Sequence, residues 1–206
     1  MTEYPSGWCA AMKRLFDTTC SLFGLLILSP LLILIALRIN GEDEGPIFYR
    51  GVRIGLGGKT FHIFKFRTMV VNADRMGGSS TADDDPRITR IGKKLRKHKL
   101  DELPQLINVF LGDMSLVGPR PEVPHYVNMY TDEEKAILTV RPGITDWASL
   151  WNPDEGAILA ESPDPEKTYM EKIRPEKIRL QLKYVRERSF WKDLIILFQT
   201  IHTILK

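Results

Sequence analysis

Two adjacent acids, Asp101 and Glu102, lie in the run Leu100-Asp101-Glu102-Leu103-Pro104-Gln105-Leu106. An ionised carboxylate is what a covalent nucleophile or a Mg2+ ligand must be. Downstream, Gly112–Pro121 reads as a stiff turn that holds Arg120 between Pro119 and Pro121. A guanidinium fixed in that way is preorganised for a phosphate or an oxyanion. Arg141-Pro142-Gly143-Ile144-Thr145 reads as a second rigid loop, after a short helical stretch. Lys65 and Arg67 alternate along a strand-like run, so they share a face with Phe61 and Ile63. Two cations on one face beside apolar neighbours suit a diphosphate clamp. Taken alone, a solvated strand face accounts for that pair more simply.

The elements around these residues follow from pattern. Pro104 favours the first turn of a helix whose apolar face is Leu103, Leu106, Ile107 and Phe110. Asp101 and Glu102 then sit where backbone N–H groups and the helix dipole favour an anion. On spacing alone, helix capping explains the pair better than catalysis does. Gly55-Leu56-Gly57-Gly58-Lys59-Thr60 resembles a phosphate-binding loop only superficially, because Arg53 occupies the position that must be glycine. The run that follows is aromatic and alternating rather than helical. The glycines therefore turn a β-hairpin from Ile47–Ile54 into Thr60–Met69.

Leu22–Leu37 carries no charge and contains Ser29-Pro30 near its middle. As a straight helix it is about 24 Å long, short of a hydrocarbon core of roughly 30 Å. Proline removes a helical hydrogen bond, so a kink is expected there. Three readings compete: a buried core helix, a straight span, and a kinked helix that enters and leaves on one face, which is favoured. All-round hydrophobicity argues against the first. Cations on both flanks, Lys13 and Arg14 before and Arg38, Arg50 and Arg53 after, blunt any orientation argument. No signal-peptide cleavage site follows the run.

Ile88, Ile91 and Leu95 recur at helical spacing amid Arg87, Arg90, Lys93, Lys94, Arg96, Lys97 and Lys99. A basic amphipathic helix suits an anionic membrane surface, and the apolar anchor in the same chain ranks nucleic acid lower. Asp83, Asp84 and Asp85 before Pro86 are expected to turn the chain and cap this helix, with a metal site there a weak alternative. Trp191, Leu194, Ile195, Phe198, Ile201 and Leu205 predict a packed or interfacial C-terminal helix. Asp193, Tyr184 and Arg188 are outside candidates for function. The chain has 206 residues, enough for one domain with a core, and its net charge is only +3. Cys9 and Cys20 lack metal-ligand spacing and read as reduced thiols.

The segments Phe64–Met69, Asp85–Gly92, Leu100–Leu106, Gly112–Pro121 and Arg141–Thr145 stand in the order seen in bacterial monotopic phosphoglycosyl transferases, which the chain resembles over about residues 10 to 205. The apolar segment with Ser29-Pro30 resembles that family's membrane-entering helix. The resemblance implies a small α/β domain with a short hairpin or sheet, amphipathic interfacial helices and a kinked re-entrant helix. Residues 1–40 would be the membrane part and 41–206 the cytosolic catalytic part. It implies transfer of a sugar phosphate from a UDP-sugar to undecaprenyl phosphate, with release of UMP and a requirement for Mg2+. Asp101 maps onto the nucleophile that forms a covalent phospho-sugar intermediate and onto the metal ligand, with Glu102 assisting. Lys65, Arg67, Arg120, Arg141, Pro142 and Gly143 are the expected phosphate and substrate contacts. The expected partners are the UDP-sugar, a polyprenyl phosphate and the cytosolic face of the bacterial plasma membrane, with no nucleic acid; a second copy of the chain is a further candidate. Larger relatives carry an extra multi-span N-terminal region, so this chain reads as the minimal catalytic unit. Two runs depart from the family pattern. Asp146–Asn152 differs from the usual continuation of the Pro-Gly-Ile-Thr loop, so the sugar does not carry over. His98 and Lys99 replace small hydroxyl residues.

Overall fold

The computed structural model describes residues 7–42, 44–76 and 85–204. Helix α1, Gly7–Glu42, is uninterrupted through Pro30. Proline has no N–H for the carbonyl four residues earlier. That carbonyl belongs to Leu26, and Ser29 Oγ donates to it at 2.8 Å. The Ser-Pro pair thus removes one backbone donor and supplies a side-chain donor in its place. The stretch Ala10–Glu42 is long and apolar enough to cross a membrane.

One face of α1 touches the body along the helix and the other does not. Asp17, Ser21, Ile35 and Ile39 are buried, whereas Leu15, Phe23, Leu26, Ile27, Ile33, Leu34 and Leu37 are exposed. Near the helix start, Arg14 donates to the carbonyls of Val109 and Phe110 at 2.6 and 2.8 Å. Asp17 accepts from Ser115 Oγ at 2.7 Å and from the Leu116 N–H at 3.2 Å. Near its end, Ile35 and Ile39 pack with Phe66 and Leu95. Full burial of each such side chain contributes about 1.5–3 kcal/mol.

The expected hairpin forms as two short ribbons rather than one. Strand β1 (Phe48–Tyr49) and strand β2 (Val52–Ile54) pair antiparallel with later strands, β4 and β3 respectively. Strand β3 is Thr60–His62 and β4 is Lys65–Phe66, with registers Arg53↔Phe61 and Tyr49↔Lys65. A single strand over Thr60–Met69 is therefore incorrect. The break at Ile63-Phe64 has a physical cause. Asn108 Oδ1 accepts from the Phe64 N–H at 2.8 Å, and its Nδ2 donates to the His62 carbonyl at 2.9 Å. A side chain takes the place of a ladder partner. At the tip, Gly57 and Gly58 adopt φ of 66° and 76°, a turn conformation that side chains disfavour and no phosphate cradle.

Helix α2 is Arg90–Lys97, capped by Thr89, whose side chain accepts from the Gly92 N–H. The expectation that aspartates cap this helix is corrected: Asp85 instead grips Arg87, with Nη2 2.6 Å from Oδ2, while Asp83 and Asp84 fall outside the described residues. Ile88 also lies off the helix, in a bridge to Met69. Glu42 at the end of α1 accepts from the N–H groups of Arg90 and Ile91, both at 2.9 Å, which ties α1 to α2. After a tight turn at Leu100–Glu102 comes α3, Gln105–Leu111, which packs on α1.

Strand β5 (Ser115–Val117) precedes the short helix α4 (Pro124–Val127), and β6 (Gly143–Thr145) runs parallel to β5. Gly118 and Gly143 allow this approach, since a Cβ on Gly143 would lie 2.0 Å from Gly118 N. Helices α5 (Trp147–Trp151), α6 (Glu155–Ala160) and α7 (Pro165–Thr168) follow. One wide turn at Tyr169–Ile173 leads into α8 (Arg174–Glu187), and α9 spans Phe190–Ile204. As expected, α9 is two-faced: Ile196 is buried, whereas Trp191, Ile195, Phe198 and Ile201 are exposed. Leu205 and the side chain of Cys9 are not described, and Cys20 is a free thiol.

Candidate active site

The 99–102 turn carries the two acids in unlike environments. Glu102 is bound on both carboxylate oxygens. Lys65 Nζ lies 2.7 Å from Oε1, Arg120 Nη1 3.0 Å from Oε2, and Arg120 Nη2 bonds Oε1 as well. Asp101 is 7% exposed and accepts no hydrogen bond among the described residues. Neither acid takes a backbone N–H, and α3 begins after Pro104 without a side-chain cap. The capping explanation is thereby removed.

Burial opposes ionisation of both acids, and their neighbours separate them. At Glu102, Arg120 and Lys65 outweigh burial and hold the carboxyl well below the usual carboxylate range. At Asp101, burial dominates and Lys65 offsets it only in part; Glu102 pushes the same way as burial, so the carboxyl titrates above the ordinary aspartate value. Glu102 in turn raises the Arg120 pKa. Burial lowers that of Lys65 despite Glu102. Paired titratable groups driven apart in this way are a mark of chemical sites.

Both acids open on a cleft of about 840 Å³ whose walls include Lys65, Arg67, Arg87, Arg96 and Arg120. Lys65 and Arg67 do reach one wall, from β4 and the residue after it. Arg120 is fixed through its backbone: its N–H donates to Asp146 Oδ2 at 3.2 Å, and its carbonyl accepts from Gln181 Nε2 at 3.4 Å. Asp146 is fully buried, caps α5 through the Ser149 N–H at 2.7 Å, and accepts from the Ser149 hydroxyl at 2.8 Å. Asp146 and Gln181 were missed as site supports. Asp146 had a readable signal, an acid three residues before Ser149 at a helix start; Gln181 had none.

The far wall was also missed. Lys177 Nζ lies 2.6 Å from Glu122 Oε1, and the Tyr169 hydroxyl donates to the same oxygen at 3.0 Å. Burial works against both charges, yet Lys177 keeps Glu122 below its usual range.

Three expected contacts lie elsewhere. Arg141, Pro142 and Gly143 are not in the cleft wall. Arg141 Nε donates to the Gly112 carbonyl at 3.1 Å, and Gly143 is pressed on Gly118. The close approach of the two loops holds this segment against β5 and Gly118. Asp193 and Tyr184 also lie outside the cleft wall. Tyr184 OH donates to Asp193 Oδ1 at 2.8 Å, and Lys13 Nζ lies 2.5 Å from Oδ2, which joins α1, α8 and α9 away from the cleft. Arg188, which follows the end of α8, donates to the Val185 carbonyl of that helix at 2.9 Å.

Mg2+ keeps much of its water and takes one or two carboxylates plus substrate phosphates. Among the described residues no group of three or more His, Cys, Asp or Glu side chains forms a ready cage. Glu102 is committed to two cations, whereas Asp101 is an uncommitted carboxylate on the cleft wall. This donor set fits such an ion, and Asp101 is the residue that would hold it.

Residues 8–206 match the model of the bacterial sugar transferase family. The chain is 37% identical over 204 residues to UDP-N-acetylgalactosamine-undecaprenyl-phosphate N-acetylgalactosaminephosphotransferase of Aeromonas hydrophila, covering 98% of this chain and 45% of that one. It is 37% identical to UDP-glucose:undecaprenyl-phosphate glucose-1-phosphate transferase of Escherichia coli K12, covering 95% and 40%. It is 38% identical to the uncharacterized sugar transferase EpsL of Bacillus subtilis 168, covering 94% and 87%. The chain thus spans less than half the length of the first two relatives and most of the third. A match over nearly the whole chain, on a fold that gathers the Asp-Glu pair, Lys65, Arg67 and Arg120 around one cleft, places it: the chain belongs to the bacterial sugar transferase family.

Proposed function

We propose that the chain transfers a sugar 1-phosphate from a UDP-sugar to a polyprenyl phosphate such as undecaprenyl phosphate, releasing UMP, through a covalent intermediate on Asp101. The observation that carries this reading is the Asp101 carboxylate, without a hydrogen-bond partner among the described residues, beside a Glu102 already neutralised by Lys65 and Arg120. Asp101 attacks the sugar-bearing phosphorus, and the bond to the UMP oxygen breaks with its electron pair leaving on UMP. A phosphate oxygen of the lipid then attacks the same phosphorus and returns the carboxylate to Asp101. Lys65, Arg67 and Arg120 hold the diphosphate oxygens in line, and charge compensation of this kind is the main contribution a protein makes to phosphoryl transfer. Asp101 would hold a Mg2+ ion, which when bound would supply further neutralisation of phosphate charge.

The same reading places the chain at the cytosolic face of the bacterial plasma membrane. Both ends of α1 dock on the body, through Lys13 and Asp17 at one end and Ile35, Ile39 and Glu42 at the other. A helix whose two ends stay on the same body does not separate them across a bilayer. This supports entry and return on one face, with the bend at Ser29-Pro30 and the exposed apolar side in lipid. The relatives' names carry N-acetylgalactosamine and glucose, so the sugar itself is left to assay.

The test is a panel of UDP-sugars incubated with polyprenyl phosphate and Mg2+. Release of UMP with formation of a polyprenyl-diphosphate sugar is expected. Release of UDP would replace this function with plain sugar transfer, and no nucleotide product from any donor would refute it.

A further inference from the structure

A second cavity, of about 390 Å³, adjoins the cleft. It is at the small end of the roughly 300–1,000 Å³ that ligand sites enclose. The two share Lys99, Glu102, Arg120, Glu155, Gly156 and Lys177, so the cavity begins at Glu102, next in the chain to Asp101. The rest of its lining is largely apolar, including Leu106, Ile144, Leu150, Leu197 and Ile201. Two polar groups on this wall have no partner among the described residues. The Lys99 side chain is exposed and pairs with no acid, and Asn152 Nδ2 is buried without an acceptor. Lys99 also holds φ of 54°, a backbone state that bulky residues avoid, two positions before Asp101.

The cavity continues toward exposed apolar surface on α9 and toward α1. Ile201 belongs both to its wall and to the exposed apolar face of α9. Leu106 reaches α1, since a Cβ on Gly24 would lie 3.2 Å from its Cδ1. A sugar would leave hydroxyls unpaired against such a wall, at a cost that a hydrocarbon does not incur.

We infer that this cavity is the acceptor subsite: it takes the isoprenyl units next to the phosphate of the polyprenyl phosphate, and Lys99 meets that phosphate at the rim shared with the donor cleft. The inference rests on the proposed transfer, and it names where the second substrate enters. Donor and acceptor then approach Asp101 from two sides of the 99–102 turn, and one turn serves both half-reactions.

The test uses the full chain in lipid nanodiscs and a polyprenyl phosphate with a photoactivatable diazirine on its first isoprenyl unit. Crosslinks are expected in 197–203 and 144–152, competed by unlabelled polyprenyl phosphate and depleted in Ile201→Glu, which sets a charge in the mouth of the cavity. Crosslinks confined to α1, or unaffected by Ile201→Glu, would overturn the assignment. This readout needs no turnover, so it stands even where no UDP-sugar yields UMP and the transfer reading fails. With an active donor, Ile201→Glu and Lys99→Ser are expected to raise the acceptor KM about tenfold or more. The donor-only burst of UMP is expected to persist in Ile201→Glu. An unchanged acceptor KM in both variants would contradict the subsite, as would a folded Ile201→Glu that loses the burst.

Discussion

Two acid–cation groups in this molecule look alike on paper but stand in different surroundings. One joins Glu102, Lys65 and Arg120 beside Asp101; the other joins Asp193, Lys13 and Tyr184 between α1, α8 and α9. Each has a carboxylate that is buried or half-buried, a lysine within hydrogen-bonding distance and a third donor. Asp193, like Asp101, is pushed up by burial, and Lys13 offsets only part of that. The difference is the surroundings. The Asp193 group ties three helices together outside the cleft wall, and the Tyr184 hydroxyl also reaches the Val117 carbonyl at 3.1 Å, so it acts as a clasp. The Glu102 group faces an 840 Å³ cleft and leaves a neighbouring carboxylate uncommitted. A perturbed acid marks a chemical site here only when a second, unspent group shares its opening.

The sharpest way to break this comparison is to remove the unspent group. Asp101→Asn is expected to lower UMP release by at least about 10⁴-fold, the scale of losing a covalent nucleophile, while circular dichroism shows an intact fold. Near-normal turnover in that variant would end the distinction between the two acid groups.

Next in size is the spent acid of the cleft. Glu102→Gln leaves Lys65 and Arg120 without their counter-charge and free to move. A loss of about 10²-fold in kcat is expected from misplaced phosphate contacts. Unfolding should show a destabilisation of about 3 kcal/mol, as for breaking a buried pair. Arg120→Lys, which keeps charge but loses the two-pronged fork, is expected to retain more activity than Glu102→Gln.

At the clasp the pattern should invert. Lys13→Met is expected to lower the stability of the α1–α9 contact by about 3 kcal/mol, since it strands the Asp193 charge. Turnover per folded molecule should stay near wild type, read by thermal unfolding alongside UMP release. A selective loss of turnover with normal stability would move the clasp into the active site.

The smallest effects are those of pH. The folded pKa of Asp101 is raised, so its contribution to stability is present below the unfolded value and is lost as pH rises through the folded one. Asp101→Asn should therefore match or exceed wild type in melting temperature at neutral pH, and the advantage should fade in acid. Glu102 is depressed, so its contribution is present above its unfolded value and is lost as pH falls through the folded one. The destabilisation of Glu102→Gln should likewise shrink in acid. The acid limb of UMP release is expected above the pH of an ordinary aspartate, set by Asp101.

The sequence made local features legible and distant ones not. The Gly55–Gly58 turn and the two-faced α9 each depend on a few consecutive residues, and each appears as read, whereas the stiff turn read over Gly112–Pro121 contains strand β5. The strand break at Ile63-Phe64 depends on Asn108, more than forty positions away, and no period in the strand records it. Arg87 and Arg96 read as part of one basic face, yet both turn inward to the cleft wall, Arg87 to Asp85 and Arg96 to Thr68. Arg141 resembled Arg120 in its proline-flanked loop, but the parallel β5–β6 pairing directs the two arginines to different places. The uncommitted state of Asp101 was likewise invisible, because it depends on which partners the fold gives to Glu102.

The central claim is that Asp101 carries the phospho-sugar between two substrates. It is tested most directly by rapid-quench intact-protein mass spectrometry with UDP-sugar and Mg2+ and no lipid acceptor. The account predicts one sugar-phosphate adduct per chain, on the peptide containing Asp101, formed with about one UMP per site and discharged when polyprenyl phosphate is added. Brisk turnover with no adduct at any time, or an adduct that persists in Asp101→Asn, would contradict it.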